Sequence, residues 1–125
     1  MSDPELPADL RRFILTSIPS VPYLEAVLLL RAEPQKEWDA SQLARRLYVP
    51  ERTGAELLEQ LRSSGVGAPA GTAGLHYAPD TELSTLLDRL AQAYATNLVT
   101  VTDLIHSRID RRAQQFADAF RFRKE

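Results

Sequence analysis

The sequence contains no cysteine and only two histidines, His76 and His106. The lack of cysteine excludes disulfide bonds, thiol nucleophiles, iron-sulfur clusters and zinc sites with thiolate ligands. Long apolar segments are absent as well: the longest uninterrupted run, Ala26–Leu30, covers five residues, whereas a membrane-spanning helix needs about 20. We therefore expect no membrane span and little scope for metal or redox chemistry.

Catalytic motifs are also lacking. The four glycines between positions 65 and 74 are not followed by the lysine and helix start of a phosphate-binding loop. An acid, an imidazole and a hydroxyl come together only at Asp103, His106 and Ser107. Adjacent residues on a helix point about 100° apart, so Ser107 cannot donate a hydrogen bond to His106 as a nucleophilic triad requires. We predict no enzymatic activity, no metal site and no cofactor.

The sequence has no large excess of charge of either sign, since it contains 15 Lys and Arg and 17 Asp and Glu. The distribution is uneven: residues 1–105 hold nine basic and fourteen acidic side chains, whereas residues 106–125 hold six basic and three acidic ones. The N-terminus, Met1–Glu5, is acidic and lacks the basic start and apolar stretch of an export signal. At 125 residues, the chain is expected to form one domain in the cytoplasm.

Apolar residues at helical spacing predict two helices in the first third of the chain, over about residues 7–18 and 20–33. The second is rich in leucine and is expected to be central and buried. The clearest helix start is at Asp39, which can cap the first turn while Gln42 reaches back to complete a capping box. Trp38 is placed for the accompanying hydrophobic staple.

The helix that begins at Asp39 must be short, because Pro50 follows within about eleven residues. Pro50 suits the first turn of another helix, which should end at Gly65 in the left-handed conformation. The two short helices then meet across a tight turn at Tyr48 and Val49. We expect a small residue, Ala44, to let the helices approach, with the wedge between them filled by Leu47, Val49, Leu58 and Leu61.

Beyond Gly65 the helical period is lost, and residues 66–70 and 75–78 predict two strands joined by a glycine-containing turn. Asp80 can cap a further helix, which has no Gly or Pro through about Arg108. The β-branched run Val99–Thr102 lowers helix propensity and marks a possible break.

The chain therefore has the order helix, helix, short helix, tight turn, short helix, hairpin, long helix. The stretch Ser41–Val49, with the leucines of 57–61, Gly65 and Tyr77–Pro79, resembles the motif of bacterial winged helix-turn-helix regulators of the MarR and PadR type. The resemblance implies a mainly α fold with a small β-hairpin. It places a winged helix-turn-helix domain at residues 1–79, with its motif at 39–64 and its wing at 66–78, and a long C-terminal helix and tail at 80–125.

In this family the second helix of the motif enters the major groove and the wing touches the neighbouring backbone. The resemblance thus implies a transcriptional regulator that binds double-stranded DNA. Gly54 would lie on the DNA-facing helix and weaken it by about 1 kcal/mol relative to Ala. The implied DNA-binding residues are Gln42, Arg45, Arg46, Glu51, Arg52, Thr53 and Gln60.

The charges of this region leave an alternative open. Residues 39–79 contain four basic and four acidic side chains, and the wing tip, Pro69–Gly74, contains no Lys or Arg. A DNA-reading surface is normally basic. The alternative is a winged domain that acts as a protein-protein interaction module without binding DNA.

Apolar side chains between residues 83 and 104 follow a heptad repeat. This spacing predicts a seam of about three heptads and a homodimer through the C-terminal helix, which would present two motifs to a palindromic site. In the other interpretation, the same stripe packs against the chain's own first helix. The predicted dimerisation residues are Leu83, Leu87, Leu90, Tyr94, Asn97, Val101 and Leu104.

The C-terminal tail combines phenylalanines with basic side chains. Phe116 and Phe120 share a helical face, with Phe122 and three basic residues beside them. Such a segment can dock a partner protein or an anionic surface. Alternatively, the phenylalanines belong to the dimer core and the charges keep the end of the chain soluble.

Overall fold

The computed structural model describes residues 6–72 and 74–107. Within these residues the protein is mainly helical and has one two-stranded antiparallel sheet, as predicted. The elements are, in chain order, α1 (Ala8–Ser17), α2 (Val21–Ala32), α3 (Ala40–Leu47), α4 (Glu51–Ser63), β1 (Gly67–Ala70), β2 (Gly74–Tyr77), α5 (Thr81–Thr96) and α6, which covers residues 98–107.

Local signals set most helix ends. Asp39 accepts a hydrogen bond from the Gln42 backbone N–H at 2.8 Å, and the Gln42 side chain accepts one from the Asp39 N–H at 3.2 Å. The predicted capping box is therefore confirmed. Asp80 caps α5 in the same way, through a 2.8 Å hydrogen bond from the Leu83 N–H. Gly65 takes the left-handed conformation after α4, at φ +84°.

The chain divides into two compact units, with one division between Val21 and Pro22, at the start of α2, and the other between Asp88 and Arg89, within α5. The first unit, Pro22–Asp88, contains α3, α4 and the hairpin. Its core includes five residues of α2, which confirms the prediction of a buried second helix. The domain boundary predicted between residues 79 and 80 lies just before the start of α5 at Thr81. That this position separates two domains stays a prediction. The fully buried large side chains of this unit are Leu24, Val27, Leu30, Trp38, Leu43, Leu61 and Leu87.

Strand β2 of the hairpin in this unit pairs with β1 on one side and with a single residue, Trp38, on the other. Strands β1 and β2 pair antiparallel, with Ala68 opposite His76. On the other side of β2, Trp38 forms an isolated bridge to Leu75, and each backbone N–H donates to the other residue's carbonyl at 2.8 Å. This pairing ties the segment before α3 to the hairpin after α4.

The second unit is formed by the two ends of the chain, of which residues 6–21 and 89–107 are described. The Arg89 guanidinium donates two hydrogen bonds to the Asp9 carboxylate, at 2.7 and 2.8 Å. The buried hydrophobic side chains of this second unit are Leu10, Ile14, Ile18, Leu90, Ala93, Val101 and Ile105.

The prediction of one long helix from Asp80 to about Arg108 is wrong. Helix α5 ends at Thr96, and a new helical segment starts at residue 98. The Asn97 N–H closes α5 on the Ala93 carbonyl at 2.7 Å, and the Asn97 carbonyl accepts the first hydrogen bond of α6 from Val101 at 3.1 Å. The chain therefore starts a new helix directly after Asn97, two residues before the β-branched run that marks a possible break in the sequence.

Among the described residues, no single helix is both long and apolar enough to span a membrane.

Candidate nucleic-acid interface

Helices α3 and α4 pack closely together, and Gly54 lies where they cross. A Cβ atom on Gly54 would clash with the Ala40 carbonyl oxygen and would come within 3.0 Å of the Ala44 Cβ. Gly54 is buried, so the expectation that it lies on the DNA-facing surface is wrong. Its small size permits the helices to approach, and this close packing offsets its poor helix propensity.

The residues expected to fill the wedge between α3 and α4 are partly buried. Ala44 and Leu61 are buried, whereas Leu47, Val49 and Leu58 remain half-buried. The Val49 N–H donates to the Ala44 carbonyl at 3.0 Å and fixes the turn between the helices. The two helices therefore form a closely packed pair joined by a short turn rather than one continuous rod.

Tyr48 lies in this turn with an unusual backbone conformation and an exposed side chain. Its φ of +58° lies in the left-handed region, and its side chain is 95% exposed. Among the described residues, no other non-glycine residue has positive φ. The sequence predicted the tight turn but gave no reason to single out Tyr48, because the signal for a left-handed position is normally Gly or Asn.

Two of the predicted contact residues, Arg45 and Arg52, flank the turn. Arg45 lies near the end of α3, and Arg52 is the second residue of α4. Both side chains are exposed, and neither forms an ion pair within the part of the chain that the structure describes. Each therefore presents a full positive charge to solvent.

Arg46 and Gln42 are less available. The Arg46 guanidinium lies 3.8 Å from a Glu33 carboxylate oxygen and 5.5 Å from the centre of the Trp38 ring. Lys36 lies over the same ring, with its Nζ 4.2 Å from the centre. Gln42 uses its side-chain oxygen in the capping box. Both predicted residues thus have interactions with their own chain that a ligand would have to replace.

The carboxylates of α4 differ in their pairing. Glu59 accepts two hydrogen bonds from the Arg62 guanidinium, one turn further along the helix. These hydrogen bonds, together with the positive charge of Arg62, lower the pKa of Glu59. Glu51 and Glu56 are exposed and have no ion pair among the described residues. Glu51 lies in the first turn of α4, where the helix dipole favours a negative charge.

The last two predicted DNA contacts lie apart from one another. Thr53 is half-buried in the first turn of α4, close in sequence to Arg52. Gln60 is exposed but lies eight residues beyond Arg52, which is about 12 Å along the helix axis. Arg45, Arg52 and Thr53 thus lie within four residues of the turn at Tyr48 and Val49, whereas Gln60 lies further along α4.

The tip of the hairpin contributes no charge of its own. Its described residues are Ala70, Gly71, Thr72 and Gly74, and a Cβ on Gly71 would lie 3.1 Å from a Glu37 carboxylate oxygen. A cavity of about 230 Å³ separates this tip from the start of α3. Acidic and neutral side chains surround it, so it is not suited to phosphate. Its lining residues are Glu37, Trp38, Asp39, Gln42, Ala70, Gly71, Thr72 and Gly74.

The residues of the predicted dimer seam fall into two groups. Leu87, Leu90 and Val101 are buried within a single chain, so they serve its own core. Leu83, Tyr94, Asn97 and Leu104 are half-buried, and the break at Asn97 interrupts the heptad repeat. At the start of α6, Leu98 is 51% and Val99 is 67% exposed.

Within residues 6–72 and 74–107, no group of three or more acidic or histidine side chains could hold a metal ion. The predicted docking residues Phe116, Phe120 and Phe122 lie outside the described residues. Comparisons with protein-family models, curated proteins and solved structures gave no match.

Proposed function

We propose that the chain is a winged helix-turn-helix protein that binds double-stranded DNA as a transcriptional regulator. One observation supports this most directly: Arg45 and Arg52, which form no ion pair with any described residue, flank the turn of a closely packed helix pair. An antiparallel hairpin follows that pair, and its second strand is bridged to the segment before α3. This order of elements is that of a winged helix-turn-helix domain, in which the N-terminal end of the second helix meets the DNA.

The electrostatics support weak, salt-sensitive binding. Arg45 and Arg52 can each neutralise one phosphate, while Arg46 must first leave Glu33. Two phosphate contacts give a slope of log K against log salt of about −1.8 for one motif, and about −3.6 for two motifs on one duplex. Glu51 and Glu56 oppose this attraction, so specificity would depend on a few well-placed base contacts rather than on net charge.

Fluorescence anisotropy with a labelled mixed-sequence duplex tests the proposal. We expect the wild type to bind at about 50 mM salt and to weaken as salt rises. The double variant Arg45→Ala/Arg52→Ala should lose most of the affinity and flatten the salt dependence. Arg12→Ala is the matched control, because Arg12 is exposed, has no ion pair among the described residues and lies on α1, outside the motif.

Equal loss in the control variant would reject the turn between α3 and α4 as the binding surface, and no binding by the wild type at this salt concentration would reject DNA binding. A second candidate function, a winged domain that binds a protein, is favoured by the uncharged hairpin tip with Glu37 beside it. If the chain binds a protein instead, Arg45 and Arg52 need not contribute to that binding. The labelled DNA duplex should then not bind to the chain.

A further inference from the structure

Tyr48 occupies a position that its side chain does not suit. The left-handed backbone region is unfavourable for residues with a Cβ atom, and Gly is the usual residue where a helix ends in this conformation. The Tyr48 ring is almost fully exposed, so core packing does not compensate for the strain. Within residues 6–72 and 74–107 its hydroxyl has no hydrogen-bond partner in the chain.

The neighbours of Tyr48 indicate what its side chain can contact. Arg45 precedes it by three residues and Arg52 follows by four, and neither arginine forms an ion pair with a residue that the structure describes. A tyrosine hydroxyl donates hydrogen bonds to phosphate oxygens, and tyrosine is among the residues that position proteins on the DNA backbone. An exposed hydroxyl donor in a turn that has an exposed arginine on each side in the sequence suits a run of adjacent phosphates.

We infer that Tyr48 is a DNA-backbone contact, which donates its hydroxyl hydrogen bond to a phosphate between those bound by Arg45 and Arg52. This inference depends on the proposed function and adds a residue that the helix-turn-helix resemblance does not supply. It also explains why a strained aromatic residue lies on the surface. The left-handed backbone of Tyr48 lowers the stability of the fold, and its side chain contributes to DNA binding. The contact carries no base information, so it fixes the orientation of the protein on DNA of any sequence.

The test compares stability and affinity in three variants of the full chain. Tyr48→Gly relieves the left-handed strain and should raise the melting temperature by about 3–6 °C, yet weaken binding to the labelled duplex about fivefold or more. Tyr48→Phe keeps the ring and the strain but lacks the hydroxyl, so binding should weaken with an unchanged melting temperature. Thr72→Ala, at the hairpin tip, should change neither quantity.

The salt dependence separates this contact from those of the arginines. Because the Tyr48 side chain has no cationic group, its variants should keep the wild-type slope of log K against log salt, whereas Arg45→Ala should reduce the slope by about 0.9. Wild-type affinity in Tyr48→Gly would overturn the inference and leave the proposed function standing. Loss of stability together with affinity in Tyr48→Gly would also overturn it, since Tyr48 would then be structural. Absence of binding by the wild type itself would reject the proposed function.

Discussion

At the scale of single residues, Gly54 decides how closely α3 and α4 approach. Replacing Gly with Ala in an exposed helix stabilises it by about 1 kcal/mol. At Gly54 the added Cβ would clash with the Ala40 carbonyl and crowd the Ala44 Cβ, and overpacking of this kind costs about 1–3 kcal/mol. Because the gain in helix propensity offsets about 1 kcal/mol of this cost, we expect Gly54→Ala to lower the free energy of unfolding in urea denaturation by up to about 2 kcal/mol.

The neighbouring Ala55 provides the matched control for this prediction. It is exposed on the same helix, so Ala55→Gly should show only the propensity effect, a loss of about 1 kcal/mol. A Gly54→Ala variant more stable than the wild type would contradict the close approach of α3 and α4.

Asp9 and Arg89 form an ion pair between α1 and α5. The Arg89 hydrogen bonds lower the pKa of Asp9 from 3.8 to about 2. The lowered pKa means that this pair stabilises the fold above the ordinary pKa of aspartate, and that its contribution is lost as the pH falls towards 2. In an NMR titration we expect Arg89→Gln to return the pKa of Asp9 towards 3.8, while Arg11→Gln leaves it unchanged. An Asp9 pKa that is the same with and without Arg89 would contradict the pairing.

At the scale of elements, α3 depends on its N-cap. Asp39→Ala removes the hydrogen bond to the Gln42 N–H and should lower the free energy of unfolding by about 1 kcal/mol. Asp80→Ala removes the equivalent bond at the start of α5 and should cost a similar amount, whereas Gln42→Ala removes only the reciprocal bond and should cost less. Urea denaturation of the three variants would measure these losses, and an unchanged stability in Asp39→Ala would show that the cap does not stabilise α3.

The same elements show which features could be predicted from the sequence. The capping box, the end of α4 at Gly65 and the hairpin were predictable because their signals lie within four or five residues of one another. The Trp38–Leu75 bridge was not, since it joins single residues far apart in the chain and has no local pattern. The heptad repeat favoured one long helix through Asn97, and it gave no sign that the backbone ends α5 and begins α6 there.

Parts of the candidate site were predictable for the same reason. Arg45 and Arg52 are basic residues of a short motif, and both proved to be exposed. The engagement of Arg46 with Glu33 and Trp38 depends on tertiary packing, so the sequence could not separate Arg46 from Arg45. Gly54 was misplaced because a glycine that permits close packing looks in sequence like one that merely weakens a helix.

At the scale of the whole molecule, the homodimer stays a prediction. Three residues of the predicted seam are buried within one chain, so among the described residues of α5 and α6 a second copy could use the half-buried seam residues and the exposed start of α6. If α6 joins two chains, Leu98→Asp/Val99→Asp should convert a particle of twice 14.0 kDa to one of 14.0 kDa in light-scattering measurements. Acidic residues are favourable in the first turn of a helix, so the variant should remain folded. Equal masses for both proteins would exclude α6 from the interface.

The central claim is that the turn between α3 and α4 is the surface that meets DNA, and mapping the backbone amides by NMR during a duplex titration tests it most directly. We predict that the largest chemical-shift changes fall on Arg45, Tyr48, Arg52 and Thr53, and that they reverse when salt is added. The amides of Gly71 and Thr72, at the uncharged hairpin tip, should move less. Shifts confined to other elements, or no shifts at all, would contradict the claim.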